Sequence, residues 1–196
     1  MKKGIITLLM VGGVVLLIAL WGISIYNTLV NKEEPVTAQW ANVENVYQRR
    51  ADLIPNIMVT VKGYAEHEQS TLTAVIEART KATSITINAK ELTETNITSF
   101  QQAQDGLSNA LSRLLVSIER YPDLKANQNF LELQSQLEGT ENRIAVERRK
   151  YNETAQIFNI AIRRFPSNII ASMSGFDKKG YFKTAERSEE VPKVQF

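Results

Sequence analysis

Six bulky apolar residues recur at intervals of seven in the second half of the sequence. They are Phe130, Leu137, Ile144, Tyr151, Phe158 and Phe165. A seven-residue repeat that persists from 130 to 165 keeps one face of a helix against a partner helix. The repeat therefore predicts a long helix over residues 124–165 that packs in a bundle and stops at Pro166.

Two further helices are predicted before this one. Residues 36–84 show helical spacing, with a kink or short break at Pro55, because the proline ring removes a backbone donor. Residues 97–120 carry a second apolar stripe, and 85–96 form the connection. No segment alternates between apolar and polar residues over a useful length, so strands are not expected. The predicted fold class is all-α: an N-terminal transmembrane helix followed by an antiparallel long-helix bundle.

Residues 4–31 contain no charged side chain. As a helix, the part from Ile5 to Tyr26 would rise about 33 Å, and a hydrocarbon core is about 30 Å thick. A cleaved signal peptide is the alternative, since Lys2 and Lys3 form a positive N-terminal region. The apolar run is longer than a typical signal core, and no small-residue cleavage site follows it. The sequence therefore favours an uncleaved anchor that contacts the bilayer through residues 4–30.

Charges beside the apolar run predict its orientation. Lys2 and Lys3 precede the run, whereas Lys32 follows it together with Glu33 and Glu34. Since basic residues are retained in the cytoplasm, we expect a cytoplasmic N-terminus and an extracytoplasmic body. The predicted division is an anchor at 1–31, a helical bundle at 32–174 and an extended or disordered tail at 175–196.

The charge balance argues against nucleic acid as a partner. The chain holds 23 Lys and Arg against 21 Asp and Glu. Lys2 and Lys3 account for the difference, so the body after the span is neutral overall. Proteins that bind the phosphate backbone usually carry a basic surplus.

The stretch "RRADLIPNIMVTVKGYAEHE" at 49–68 resembles a catalytic segment because it concentrates charges and holds the single histidine. A zinc-protease box needs two histidines one helical turn apart. The residue four positions after His67 is Thr71. Cysteine is absent, and the glycines do not form a phosphate-binding loop. The sequence thus predicts no catalytic, cofactor-binding or metal-binding residue, and no cofactor.

Four charged residues fall on inward-facing helix positions: Glu68, Arg79, Glu141 and Arg148. One interpretation is a buried carboxylate site. Bundle di-iron sites, however, need a Glu-x-x-His motif on each of two helices, and the chain has none. The other interpretation is ion pairing between helices, with Arg49 or Arg50 and Asp52 joining, which fixes register more than it adds stability. The sequence favours ion pairs but leaves both interpretations open.

Several long motifs stand out in the sequence. They are "YNTLV" at 26–30, the block at 38–79 with R-x-D-L-I-P-N and V-K-G-Y-A-x-H-E, the block at 121–166 with E-x-x-I-A-x-x-R-x-x-Y-N, and the closing "GFDKKGYF" and "PKVQF". Together these motifs resemble the LemA family of bacterial membrane proteins. The main departure is Gln39-Trp40-Ala41, where the family more often has Ala-Trp-Ser.

The resemblance implies a bacterial single-pass membrane protein with a helical bundle, and it brings no established activity or cofactor. None of the matched motif positions has an agreed catalytic role. Those positions are Arg50, Asp52, Pro55, Asn56, Lys62, Tyr64, His67, Glu68, Glu141, Arg148, Tyr151 and Asn152.

Three functions fit these observations. The favoured one is a non-enzymatic scaffold or interaction module of the bacterial envelope, held in the inner membrane and binding a second copy or another envelope protein. The second is a carboxylate-based hydrolase or metal-binding bundle that uses Asp52, Glu68 and Glu141. The third is a membrane-remodelling protein. The anchor and the heptad helices favour the first.

Overall fold

The computed structural model describes residues 2–64 and 68–183, and these are almost entirely helical. The α-helices are α1 (Lys2–Lys62), α2 (Gln69–Ser84), α3 (Glu94–Ile118), α4 (Pro122–Lys125), α5 (Gln128–Arg163) and α6 (Ser167–Ser174), with a 3-10 turn at Ala89–Glu91. Neither described range contains a β-strand. The predicted all-α class is confirmed.

Helix α1 passes through both Pro35 and Pro55 and is 61 residues long, which corresponds to about 90 Å. Pro55 cannot donate to the carbonyl of Ala51, its usual partner one turn earlier. The Nε of Arg79 donates to that carbonyl instead, at 2.8 Å. This substitute donor lets the helix continue, so the predicted short break at Pro55 is wrong.

The predicted helix at 36–84 is two helices. Helix α1 ends at Lys62, immediately before Gly63, and α2 begins at Gln69. Apolar residues keep their helical spacing across this boundary, which is why the sequence predicted one helix. Glycine, however, lowers helix stability by about 1 kcal/mol relative to alanine. Residues 65–67, including His67, lie outside the described ranges.

The next two helices begin and end near their predicted positions. Helix α3 starts at Glu94 rather than 97, because the Thr93 side chain accepts a hydrogen bond from the backbone of Asn96. Helix α5 starts at Gln128 rather than 124, because Asn127 caps it by accepting from the backbone of Phe130. The short helix α4 takes up the residues between them. Side-chain oxygens at these positions satisfy amide groups that the helix leaves unbonded.

Buried residues of α1 alternate in steps of four and three along the helix. They are Val36, Trp40, Val43, Tyr47, Arg50, Ile54, Ile57 and Val61. This seam packs against α5, which runs antiparallel to α1 and buries the first five residues of its own seven-residue series. The sixth, Phe165, is 81% exposed because α5 ends at Arg163. The expectation that Phe165 continues the core is wrong.

Helices α2 and α3 complete an up-down-up-down bundle. They pack on each other extensively. Phe100, near the start of α3, contacts Trp40 of α1, whereas Arg120 just after α3 pairs with Glu68 just before α2. Since Trp40 is nearer the N-terminal end of α1, α3 runs in the same direction as α1. The predicted antiparallel long-helix bundle is confirmed.

The N-terminal part of α1 carries the candidate membrane span. From Leu8 to Trp21 its large apolar side chains are exposed, and this helix is long and apolar enough to cross a bilayer. Burial begins at Leu29, the first fully packed residue. Among the described helices, only α1 meets that criterion.

Residues 175–183, the described part of the predicted tail, are non-helical and pack along the bundle. We call residues 176–183 the strap. Its Phe182 is buried. At Gly180, an added Cβ would lie 2.7 Å from both Glu94 Cα and Thr93 O. The strap therefore approaches the start of α3 so closely that a residue with a side chain would clash there, and only glycine fits. Residues 184–196 lie outside the described ranges.

Candidate interaction site

A layer of polar side chains divides the hydrophobic core into two parts. One part contains Tyr47 and Ile144, and the other contains Ile54 and Leu137. Along α1, Arg50 lies between Tyr47 and Ile54. Along α5, Glu141 lies between Leu137 and Ile144. The polar layer therefore occupies core positions in the heptad pattern of both helices.

Arg50 is the centre of this layer. Its side chain is 1% exposed, and Nη1 lies 2.7 Å from Glu141 Oε1. The same nitrogen donates to Ser108 Oγ at 2.8 Å, and Nη2 donates to Gln104 Oε1 at 2.5 Å. The guanidinium also stands over the Tyr47 ring, 5.1 Å from its centroid. One buried cation is thus held by groups from α1, α3 and α5.

Gln104 extends the layer to α2. Its amide Nε2 donates to the carbonyl of Ala82 at 3.1 Å. Ala82 lies in the last turn of α2, where carbonyls have no partner within the helix. Four helices are therefore joined through Arg50 and Gln104. If one helix slid along its neighbours, the Arg50 charge would stay buried but lose its partners, which is costly. The layer therefore opposes sliding of the helices.

The other charged residues singled out in the sequence have separate partners. Glu68 accepts from Arg120 at 2.7 Å and from the Tyr121 hydroxyl at 3.1 Å. Arg79 binds the Ala51 carbonyl rather than an acid. Asp52 accepts from Gln48 on the exposed surface. The structure therefore brings Arg50 and Glu141 together but does not gather Asp52, Glu68 and Glu141 into one site.

Arg148 contacts the strap. Its guanidinium lies 4.8 Å from the centroid of the Phe182 ring, and Nη2 donates to the Lys183 carbonyl at 3.0 Å. Asp105 of α3 is 4.0 Å away, too far for a direct hydrogen bond. Arg148 therefore acts on the strap through an aromatic ring and a backbone oxygen.

Three amide side chains hold the strap through its backbone. Asn159 bonds both the N–H and the carbonyl of Lys179, each at 2.8 Å. Asn152 does the same for Phe182, at 2.9 Å in each direction. Gln101 does the same for Lys183, at 2.9 and 3.0 Å. Each amide offers one donor and one acceptor, as a neighbouring β-strand would.

The strap also closes an aromatic cluster. The Phe182 ring stacks on Trp40 at 6.1 Å and meets Tyr151 edge to face at 5.4 Å. Burial raises the pKa of the Tyr151 hydroxyl well above its ordinary value, and the nearby Tyr181 hydroxyl adds to the rise. Burial likewise raises the pKa of Tyr47. Both phenols are therefore neutral at physiological pH.

An ion pair fixes the start of the strap to α1. The Nζ of Lys179, which is buried, lies 2.6 Å from Glu33 Oε1. Glu33 comes shortly after the candidate span, so this pair joins the strap to the end of the bundle nearest the span. Phe176 contacts Tyr26 in the same region, with 5.5 Å between the ring centroids.

An open groove of about 660 Å³ lies beside the strap on α5. Arg148, Arg149, Asn152 and Lys183 contribute its polar walls, with Glu153 as the acidic residue. In residues 2–64 and 68–183, no three His, Cys, Asp or Glu side chains cluster in a way that could hold a metal ion. The groove thus presents guanidinium and amide groups beside aromatic surface.

Sequence reasoning did not single out Gln101, Gln104 or Asn159. One signal was present, because Asn152 and Asn159 lie seven apart and each directly follows an aromatic core residue. A polar repeat in phase with an apolar repeat indicates a second strip of the helix that contacts protein. The heptad seam of α1 likewise selects Arg50 rather than Arg49 as the buried arginine. Arg49, by contrast, is exposed.

These features define a class: an all-α bundle whose first helix extends into a candidate membrane span and whose core holds a polar layer. The chain belongs to the LemA family, whose model matches residues 39–196. The resemblance noted in the sequence is therefore confirmed.

The similar curated proteins include members called MamQ and LemA. Magnetosome protein MamQ 2 of Paramagnetospirillum magneticum is 29% identical over 175 residues, which cover 81% of this chain and 64% of the relative. Magnetosome protein MamQ of Magnetospirillum gryphiswaldense is 26% identical, covering 80% and 64%. Protein LemA of Metamycoplasma hominis is 24% identical, covering 82% and 69%. The chain thus spans less than two thirds of the MamQ relatives.

Proposed function

We propose that this protein is a membrane-anchored, non-enzymatic scaffold of the bacterial envelope. Residues 1–31 act as the anchor, residues 32–174 form the bundle, and the strap completes the bundle surface. The observation that carries the proposal is the continuity of α1, which runs from the candidate span into the core of the body. Because one helix forms both parts, the body is rigidly joined to the span and is held close to the bilayer.

The polar groups of the bundle support a structural role. Arg50 binds Glu141, Arg120 binds Glu68, and Arg79 binds a backbone carbonyl. Each of these charges is occupied by a contact between helices. General acid–base chemistry would instead need a titratable group placed to reach a substrate. The groove beside the strap is the surface that we assign to a protein partner or a second copy.

Site-specific photo-crosslinking in living cells tests the interaction. A crosslinking residue replaces Arg149, which is exposed in the groove, and a matched control replaces the exposed Val116 on α3. The groove position should give a discrete higher-mass product, which mass spectrometry then identifies, whereas Val116 should not. If both positions give only the monomer, the proposal that the protein is an interaction module is wrong.

The carboxylate-enzyme alternative has its own test. Asp52→Asn, Glu68→Gln and Glu141→Gln are expressed separately in a strain that lacks the gene and shows a growth or envelope phenotype. Each variant that remains folded and membrane-bound should restore the phenotype to the wild-type level. Complete loss of rescue in a folded variant would favour the enzymatic alternative over the scaffold.

Orientation is part of the proposal. We expect the N-terminus in the cytoplasm and the body outside it, because Lys2 and Lys3 precede the span. Protease treatment of intact spheroplasts should then digest residues after the span. Protection in intact spheroplasts, followed by digestion after lysis, would reverse the assigned orientation.

A further inference from the structure

Helix α6 packs directly on the part of α1 that enters the membrane. Its Ile170 Cδ1 would lie 3.7 Å from a Cβ built on Gly22, and Ala171 is buried. Immediately after α6, Phe176 contacts Tyr26. Thus α6 lies beside residues 22–26, the C-terminal end of the predicted span.

The opposite side of α6 is apolar and exposed. Ile169 and Met173 lie four apart in α6, and residues four apart lie on the same face of a helix. Phe165, in the turn just before α6, and Met173 are about four-fifths exposed (81% and 80%). The inner face of α6 therefore contacts α1, while Ile169 and Met173 on its outer face, and Phe165 just before it, are large exposed apolar side chains.

We call Phe165, Ile169 and Met173 the α6 patch. Further apolar residues and basic residues surround it. Trp21 and Ile23 of α1 are exposed at the same level. Arg163 and Arg164, which precede Phe165, are also exposed. An apolar face bordered by basic residues is the pattern of a helix that lies in the bilayer interface, and tryptophan is enriched at that depth.

The position at which α6 contacts α1 shows how deep α6 would lie in the membrane. Four residues separate Gly22 from Tyr26, the end of the predicted span, and a helix rises about 1.5 Å per residue. The contact between Ile170 and Gly22 therefore lies about 6 Å inside the end of the span. Interfacial helices bury their apolar face about 5–10 Å into the boundary between headgroups and acyl chains.

We infer that α6 and the turn before it form a second membrane-contacting element, which inserts Phe165, Ile169 and Met173 into the lipid interface beside the α1 span. This inference rests on the proposed membrane anchor. The bundle then contacts the bilayer at two points, the α1 span and the α6 patch. The second contact fixes the tilt and rotation of the body, which a single span leaves variable.

The full chain reconstituted in phosphatidylethanolamine and phosphatidylglycerol vesicles provides the test. Because the sequence lacks cysteine, single variants Met173→Cys, Leu16→Cys and Val116→Cys each accept one environment-sensitive fluorophore. Lipids with a nitroxide near the headgroup should quench the label at 173. Lipids with a deep nitroxide should quench the label at 16. Aqueous iodide should quench the label at 116.

The outcomes separate the two proposals. If the label at 173 behaves like the label at 116 while the label at 16 is lipid-quenched, the anchor stands and the inference fails. If lipid quenches neither 16 nor 173, both fail. If the label at 173 is shielded from iodide and from both lipid quenchers, a protein covers α6, which also overturns the inference. Ile169→Cys, on the same face, should repeat the result at 173.

Discussion

The contact between Arg79 and Ala51 explains how α1 remains helical at Pro55, and it can be tested by a double-mutant cycle. Arg79 donates to the carbonyl that Pro55 leaves without a partner. Arg79→Met removes the donor but keeps a long apolar stem. Pro55→Ala restores a backbone N–H that can donate to the same carbonyl.

The magnitude follows from burial. Ala51 is 3% exposed, and an unsatisfied buried carbonyl costs about 1–3 kcal/mol. We therefore expect Arg79→Met to lower the free energy of unfolding by about 2 kcal/mol. In the Pro55→Ala background the same change should cost under about 0.5 kcal/mol, because the helix itself satisfies Ala51. The coupling energy is then about 1.5 kcal/mol, typical of groups in direct contact.

The assay is thermal unfolding of the four proteins in mild detergent, followed by circular dichroism. For a chain of this size, 2 kcal/mol corresponds to a decrease of about 4–8 °C in the unfolding midpoint. Arg113→Met is the matched control, since Arg113 is an exposed arginine on α3. It should change the midpoint by little in either background.

Additivity would refute the reasoning. If Arg79→Met lowers stability equally with proline or alanine at position 55, Arg79 does not replace the missing backbone donor. The continuity of α1 at Pro55 would then need another cause.

Three further predictions concern the strap and the polar layer. Gly180→Ala should lower stability by about 1–3 kcal/mol because its Cβ meets the α3 backbone. Gly139→Ala, in open space on α5, should raise stability by about 1 kcal/mol; equal shifts in thermal unfolding would contradict the strap geometry. Glu141→Ala should cost about 2 kcal/mol in urea unfolding. This cost is smaller than for a fully buried ion pair, because the Glu141 side chain is 39% exposed although Arg50 is buried. If the free energy of unfolding did not change, the pair would not be stabilising. The pKa of Tyr151 is raised in the folded protein, whereas in the unfolded chain it is about 10. The unfolded chain therefore ionises first as the pH rises above about 10, and the free energy of unfolding falls with increasing pH. Tyr151→Phe should reduce this decline in the unfolding midpoint, and an unchanged decline would exclude Tyr151 as its source.

The helical repeats made much of the fold predictable. Seven-residue spacing identified α5, and the apolar stripe of α3 identified its position within three residues at either end. The end of α1 at Lys62 was missed because the apolar period continues past Gly63. Phe165 was assigned to the core because the repeat includes it, yet the backbone leaves the helix two residues earlier. Periodicity predicts which face is apolar, but it does not show where the helix ends.

The candidate site was less predictable because its partners are distant in sequence. Glu141 was singled out as inward-facing, but its pairing with Arg50 depends on the antiparallel register of α1 and α5. The strap was expected to be an extended or disordered tail, because Gly175 and Gly180 interrupt the helix and the residues that follow are polar. Its burial depends on Asn152, Asn159 and Gln101, whose amides satisfy backbone groups that no local pattern reveals.

The continuity of α1 from the span into the bundle is the central claim, and a distance measurement tests it directly. Spin labels at Leu20→Cys and Val59→Cys lie on opposite sides of both prolines, 39 residues apart, in a chain with no other cysteine. Pulsed electron resonance of the protein in lipid nanodiscs should give a narrow distribution near 58 Å, from about 1.5 Å per residue. A broad distribution centred at about 45 Å or less, well short of that helical length, would contradict a continuous helix.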